Sequence, residues 1–109
     1  MPLTKKSFGE DFIWGVSTAA YQIEGAHNLD GKGLSIWDVF VQKRNKIFKN
    51  HSGDIACDFY NQYTQDLYLM YSLNIRNYRF SIAWSRILPE GTGTINPLGI
   101  DFYNRLIDL

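Results

Sequence analysis

An arginine inside an apolar stretch is the residue of this sequence with the most evident potential for chemistry. Residues 78–83 alternate aromatic or aliphatic side chains with Arg79 and smaller residues, and a period of two is typical of a strand. A guanidinium removed from water is costly unless a carboxylate or several acceptors surround it. Because no acidic residue lies within five positions of Arg79, its partner is expected to be distant. That partner is Glu24 or Asp58 of this chain, or a group outside it.

Two acidic residues, Glu24 and Asp54, suggest a catalytic pair, since general acid–base catalysis often uses carboxylates. Both follow turns, where acids usually serve as helix caps or loop charges, and we expect neither to be catalytic. His27 and His51 lack the spacing of metal ligands, so we expect no metal site. Residues 25–32 mimic a phosphate-binding loop, but the spacing of their glycines differs from that motif, and Gly33 stands where the motif has Ser or Thr. We therefore expect no phosphate-binding loop.

Aromatic residues make up 16% of the chain, which fits a large core or a site that stacks on flat ligands such as sugar rings. Trp37 and Trp84 are candidates for such platforms, but their apolar neighbours favour packing in the core. Gln22, considered by itself, is expected to be an amide on a helix surface.

The composition restricts the class of protein. With 109 residues, 45% hydrophobic and 20% charged, the chain resembles one small globular domain. Its 11 basic and 11 acidic residues cancel, so we expect neither nucleic acid nor a membrane as a partner. The single cysteine, Cys57, excludes an internal disulfide and is expected to be a small core residue. The sequence contains no apolar leader and no apolar run of membrane length, which predicts a cytoplasmic location.

The first half of the chain is predicted to contain a short buried strand and short helical segments. The strand covers residues 12–17, and residues 18–24 form a turn or short helix that carries polar groups. One or two helical turns over residues 35–41 are predicted to be capped by Ser35, with Asp38 as the acidic partner of that cap. The connecting loops are residues 25–33 and residues 42–53.

The second half contains the clearest helix, in which apolar residues recur at spacings of three and four. Its stripe consists of Ala56, Tyr60, Tyr63, Leu67, Met70 and Leu73. Asp54 or Asp58 is expected to satisfy the first amides, and Asn74 to end the helix in a left-handed conformation. A strand over residues 75–83 follows at once, and after a long loop Pro97 opens a second helix. One face of that helix carries Ile100, Tyr103, Leu106 and Ile107.

The order of strand, loop, helix, strand, loop and helix predicts an α/β fold with a parallel sheet. The strands are nearly continuous apolar runs, which predicts burial on both faces. The last helix has no C-terminal signal, so the chain is expected to stop inside it. Two parallel strands neither close a barrel nor cover a sheet, and we expect exposed faces and weak independent stability.

Five collinear segments resemble the N-terminal quarter of the family 1 glycoside hydrolases, the β-glucosidase group. They are FIWGVSTAAYQIEGA at residues 12–26, GKGLSIWDVF at 31–40, SGDIACDFYNQYTQDLYLM at 52–70, YRFSIAWSRILPEGTG at 78–93 and GIDFYNRLID at 99–108. The resemblance implies a (β/α)8 TIM barrel. Because such barrels need about 250 residues, residues 1–109 are expected to be an N-terminal fragment that supplies the first two βα units of one domain.

Two residues acquire roles through this resemblance. Gln22 corresponds to the family glutamine that binds hydroxyls of the glycone, and an amide both donates and accepts hydrogen bonds. Arg79 corresponds to the family arginine at the end of strand two, which orients the nucleophilic glutamate and keeps it ionised. A fixed positive charge lowers the pKa of a neighbouring carboxylate. The expected partner of Arg79 is therefore a glutamate outside this chain.

The catalytic residues themselves are missing. Retaining glycosidases use two carboxyl groups about 5–5.5 Å apart. In the family, these glutamates lie in an asparagine–glutamate–proline motif and a threonine–glutamate–asparagine–glycine motif, and neither occurs in this sequence. The resemblance implies a complete enzyme that hydrolyses terminal β-linked sugars of small-molecule glycosides without metal or organic cofactor. The isolated chain is expected to be inactive.

Two interpretations other than a part of a β-glucosidase stay open. The chain is a truncated, non-catalytic module that binds sugars or a protein partner, or it is an inactive partial gene product. The turnover of a substrate separates the enzyme from both alternatives, and an ordered, folded chain favours the module over the bare fragment.

Overall fold

The computed structural model describes all residues, 1–109, and consists mostly of helices and loops. Two short strands, β1 (Val16–Ser17) and β2 (Tyr78–Arg79), form a two-stranded sheet. The helices are, in chain order, α1 (Ala20–Ile23), α2 (Ile36–Val41), α3 (Phe59–Ser72), α4 (Trp84–Ile87) and α5 (Pro97–Asp108). Two 3-10 turns cover Lys5–Phe8 and Phe48–Asn50. No helix has both the length and the apolar character needed to cross a membrane.

The two strands run parallel, which confirms the predicted pairing. The register places Val16 opposite Tyr78 and Ser17 opposite Arg79. Each strand has two residues and is shorter than predicted, because each has only one neighbour to pair with. The prediction that the strands are buried on both faces is wrong, since Val16 is 37% exposed and Arg79 is exposed as well. One side of the sheet does contact the core, through the half-buried Tyr78.

The predicted signals at helix ends are mostly confirmed. At α2, Asp38 N–H donates to Ser35 Oγ at 3.2 Å, and Ser35 N–H donates to Asp38 Oδ2 at 2.7 Å, which completes a capping box. After α3, Asn74 has the predicted left-handed conformation, with φ of 57°. The predicted acidic cap of α3 is wrong, because Asp58 precedes the helix with φ of 53° and its carboxylate instead accepts from the Asn61 amide.

The core lies between α3 and α5. It consists of Phe59, Tyr60, Phe102, Tyr103 and Leu106. The predicted stripe on α3 contacts this core through its central residues, whereas Leu73 is 63% exposed. On α5, the predicted apolar face is buried only in part, since Tyr103 and Leu106 lie in the core whereas Ile107 is also 63% exposed. The buried face is rotated towards Gly99 and Phe102 because α5 packs against α4 as well as α3.

Two further differences concern the segments before α3 and after β2. Cys57 is exposed, so its predicted place in the core is wrong. It lies between Ala56 and Asp58, which both have left-handed backbones, in the turn before the helix rather than in it. Residues 84–96 were predicted to be a loop, but the first four of them form α4.

Gly99 permits the close approach of α5 to α4. A Cβ atom at this position would lie 2.1 Å from the Arg86 carbonyl oxygen. We expect Gly99→Ala to lower the free energy of unfolding by about 1–3 kcal/mol, because the two helices must separate. Urea unfolding measures this effect. The control is Asn104→Ala at an exposed position of the same helix, which is expected to change stability by less than about 0.5 kcal/mol. Equal losses in both variants would contradict the prediction.

The chain leaves much of its surface uncovered. Its accessible area is 8519 Å², whereas a compact protein of this mass exposes about 6,200 Å². Its radius of gyration is 17.0 Å, compared with about 13 Å for a compact domain of this length. Only 12 of 109 residues are buried. The small core therefore covers only part of the apolar surface that the sequence carries.

Candidate functional site

Gln22 lies in α1, directly after the end of β1. Its side chain is exposed and makes no hydrogen bond within the chain. The segment is held in place by its neighbours, since Ala20 N–H donates to Ser81 Oγ at 2.8 Å and Thr18 Oγ1 contacts the Tyr78 hydroxyl at 2.5 Å. Both contacts join the end of β1 to β2 and to the residues that follow β2. The short segment that follows β1 and carries Gln22 is therefore joined to β2 and the residues after it.

Arg79 ends β2 at the same edge of the sheet. Its Nε and Nη2 donate to Ser17 Oγ at 3.2 and 3.0 Å. It forms no ion pair within the chain, so the alternative that pairs it with Glu24 or Asp58 is wrong. The guanidinium is exposed, and a single hydroxyl satisfies only part of its donor capacity. Gln22 and Arg79 thus follow neighbouring strands at one edge, as expected for the carboxyl ends of parallel strands.

Glu24 belongs to a buried network instead. Its Oε1 accepts from Arg86 Nε at 2.7 Å, and its Oε2 accepts from the Tyr103 hydroxyl at 2.6 Å. Arg86 also donates to the carbonyl oxygens of Gly25 and Ala26. Burial, followed by the adjacent Glu24 carboxylate, raises the pKa of Tyr103. The tyrosine therefore remains a donor to Glu24, and both carboxylate oxygens serve the fold.

This network was not found by sequence reasoning. Glu24 and Arg86 are separated by 62 positions, yet they are 4% and 1% exposed. The Arg86 guanidinium also lies over the Tyr60 ring, 4.2 Å from its centroid. The network joins α1, α4 and α5 to the start of α3 and so fixes the segment that carries Gln22.

A second buried ion pair fixes α2. Lys32 Nζ donates to Asp38 Oδ2 at 2.8 Å. Burial raises the pKa of Asp38, but hydrogen bonds from Lys32 and Ser35 outweigh this effect, and the net pKa is lowered. The stabilisation from this carboxylate is therefore present above its ordinary pKa of 3.8 and is lost as the pH falls through the lowered value.

A cavity of 740 Å³ lies between α1, α2 and α4. Two of its lining residues, Trp37 and Trp84, are 49% and 65% exposed, so their predicted packing in the core is wrong. The Trp37 ring stacks on Tyr21, with 5.9 Å between centroids and 23° between planes. The surfaces that would cover these indoles are not supplied by this chain. Neither Gln22 nor Arg79 lines the cavity.

The groups at the carboxyl edge can bind and orient, but they do not form an acid–base pair. The edge offers the amide of Gln22, the guanidinium of Arg79 and hydroxyls such as that of Ser17. Asp54 lies 3.9 Å from His27 Nε2 and is not joined to Glu24. Within residues 1–109 no group of three His, Cys, Asp or Glu side chains could hold a metal ion. The arrangement suits a polar ligand with hydroxyl groups and an anionic partner for Arg79.

The comparisons with known proteins agree on one family. The family model described as glycosyl hydrolase family 1 matches residues 4–109. The chain is 55% identical to a β-glucosidase A of Acetivibrio thermocellus over 107 residues, which are 98% of this chain and 24% of that protein. It is 54% identical over 103 residues to a lactase/phlorizin hydrolase of Rattus norvegicus, with 93% of this chain and 5% of that protein covered.

A solved structure agrees with the sequence relatives. A β-glucosidase from Thermotoga maritima in complex with castanospermine matches with a TM-score of 0.89 and 51% identity, over 93% of this chain and 23% of that one. The chain thus spans about a quarter of the length of the β-glucosidases that it matches.

Proposed function

Because the chain belongs to glycosyl hydrolase family 1, we propose that it is the N-terminal part of a retaining β-glycosidase, of β-glucosidase type. In this proposal residues 1–109 form the first portion of a single (β/α)8 barrel domain, and β1 and β2 are its first two strands. The substrate is a small-molecule glycoside with a terminal β-linked sugar. We call the protein that includes the remaining strands of the barrel the complete polypeptide.

The incompletely paired Arg79 carries the proposal. A guanidinium at the carboxyl end of a strand, held by one serine hydroxyl, is suited to a carboxylate from another strand. In a retaining glycosidase, one carboxylate attacks the anomeric carbon while the glycosidic C–O bond breaks, and a carboxylic acid gives its proton to the leaving oxygen. Water then hydrolyses the glycosyl-enzyme intermediate. Arg79 would hold the attacking carboxylate in its charged form, ready for this step.

Gln22 is proposed to bind the glycone, which is the terminal sugar of the substrate. Its side chain is exposed, and it belongs to the segment that follows β1, the strand paired with that of Arg79. An amide donates two hydrogen bonds and accepts two, which suits adjacent hydroxyls on a pyranose ring. The buried network of Glu24 and Arg86 supports this role, because it fixes the backbone that presents Gln22.

The uncovered surface supports the incomplete barrel. The accessible area of 8519 Å² exceeds that of a compact protein of this mass by about 2,300 Å². Apolar side chains at and near the sheet, such as Val16 and Ile13, are 37% and 76% exposed within the chain. Further strands and helices of a barrel would cover them.

The turnover of a simple β-glucoside tests the proposal. We expect the complete polypeptide to hydrolyse p-nitrophenyl β-glucoside with retention of anomeric configuration, as followed by NMR, and to leave the α-anomer intact. The isolated chain of residues 1–109 is expected to show no turnover, because it lacks both catalytic glutamates. A complete polypeptide that binds glucosides without hydrolysing them would replace the proposal with the sugar-binding module, which the exposed Trp37 and Trp84 beside the cavity favour.

A further inference from the structure

The loop between α2 and α3 concentrates positive charge. We define residues 43–51 as the basic loop; its cationic side chains are Lys43, Arg44, Lys46 and Lys49. No acidic residue occurs between Asp38 and Asp54. Four of the 11 basic residues of a chain without net charge therefore lie within seven consecutive positions. Like charges at this density repel one another unless an anion lies nearby.

None of these four cations is neutralised within the chain. The ion pairs that involve lysine or arginine use Lys32, Arg86 and Arg105. The four cationic side chains are exposed and donate no hydrogen bonds to other residues. Within residues 1–109 these charges are therefore engaged in no ion pair, and an anion can reach them.

An aromatic ring lies among the charges. Phe48 is 76% exposed in the 3-10 turn of the loop. Lys49 Nζ lies 5.3 Å from its centroid, and the His51 ring lies 6.0 Å away, edge to face. Lys49 has a left-handed backbone, with φ of 52°, as do its neighbours Asn45 and Asn50. The loop thus presents an exposed apolar ring with a lysine beside it.

The two ends of the loop are tied to the proposed sugar-binding side. Lys43 N–H donates to the Phe40 carbonyl at the end of α2. Just beyond the loop, Gly53 N–H donates to the Tyr21 hydroxyl at 2.8 Å, and Tyr21 is the neighbour of Gln22. The basic loop is therefore held against the segment that is proposed to bind the glycone.

We propose that the basic loop binds an anionic polysaccharide, one whose pyranose rings carry sulfate or carboxylate groups. The cations would pair with the acidic groups, and the Phe48 ring would stack on the apolar face of a sugar. The choice of a sugar polymer over other polyanions rests on the proposed function, together with Phe48. Binding at this surface would hold the protein on the polysaccharide while the proposed pocket of Gln22 and Arg79 stays free for the small-molecule glycoside.

Binding of the complete polypeptide to dextran sulfate tests this surface. We expect measurable affinity by calorimetry at about 0.05 M salt, and its loss at about 0.5 M salt. Lys46→Gln with Lys49→Gln is expected to weaken binding about tenfold. The matched control, Lys5→Gln with Lys6→Gln, removes the same charge elsewhere and is expected to leave affinity unchanged. Equal losses in both double variants would overturn the proposal.

A second variant separates polysaccharide from other polyanions. Phe48→Ala is expected to weaken binding to dextran sulfate about fivefold and to leave binding to polyglutamate unchanged, since only the sugar polymer offers a ring to stack on. Tighter binding to DNA than to dextran sulfate, or no effect of Phe48→Ala, would overturn the assignment to a sugar polymer. Hydrolysis of p-nitrophenyl β-glucoside is a separate readout. Its absence would contradict the proposed function and leave the binding result to stand.

Discussion

Replacing Glu24 with alanine should lower the free energy of unfolding of the complete polypeptide by about 3–5 kcal/mol. The substitution leaves the Arg86 guanidinium, which is 1% exposed, without its charged partner. It also removes the acceptor of the Tyr103 hydroxyl. The remaining contacts of Arg86 are two backbone carbonyl groups and the Tyr60 ring, and these do not carry a compensating negative charge. The shift in the urea midpoint measures the loss.

An exposed ion pair provides the control for this experiment. Arg105 and Asp101 are joined at 3.0 Å on α5, with side chains that are 51% and 61% exposed. Because solvent screens the exposed pair, Asp101→Ala is expected to cost only about 0–1 kcal/mol. If Glu24→Ala and Asp101→Ala shifted the midpoint equally, the buried network would not have the structural importance that its burial implies.

Replacing Arg79 with methionine should reduce kcat/KM of the complete polypeptide by about 10²–10³, the effect of removing one preorganised charge-stabilising donor. The proposed cation favours the ionised nucleophile, so its loss raises the pKa of that carboxyl. The nucleophile acts in its ionised form. The acidic limb of kcat/KM against pH should therefore move to higher pH in Arg79→Met.

Two further variants separate this role from a general effect of charge. Arg79→Lys keeps the positive charge but loses the planar set of N–H donors of the guanidinium. In this variant the acidic limb of kcat/KM against pH should lie close to its wild-type position, while kcat/KM itself should stay below the wild-type value. Arg76→Met removes an exposed arginine three positions earlier, whose Nε contacts only the Asn74 side chain, and it should change neither quantity. If the acidic limb of kcat/KM against pH did not move in Arg79→Met, the proposed electrostatic role of Arg79 would be contradicted.

Local signals in the sequence were sufficient to predict three helix ends. The capping box of Ser35 and Asp38 and the left-handed Asn74 depend on groups within a few residues of one another. Pro97 opens α5 as predicted, with Asn96 accepting from Leu98 N–H at 3.3 Å. The chemistry of such ends is complete within one turn of the helix, so no distant residue has to be known.

Pairing and burial were harder to predict because they depend on distant groups. Nothing near Glu24 indicates that its partner is Arg86, and Arg79 contacts Ser17 rather than either acid considered for it. The exposure of Trp84 has the same origin, since an apolar side chain is buried only when another segment covers it. The two strands and their parallel pairing were predicted correctly, but only two residues of each strand are paired within this chain.

The uncovered faces have a consequence for the synthesis of the protein. We assume for the complete polypeptide the length of the Acetivibrio thermocellus relative, of which 107 aligned residues are 24%. About 340 residues are then synthesised after this chain. At about 5–20 residues per second their synthesis takes about 17–70 s. During that interval the open edges of β1 and β2 and side chains such as Ile13 have no native partner. The nascent chain would therefore need chaperone protection longest at its N-terminal quarter.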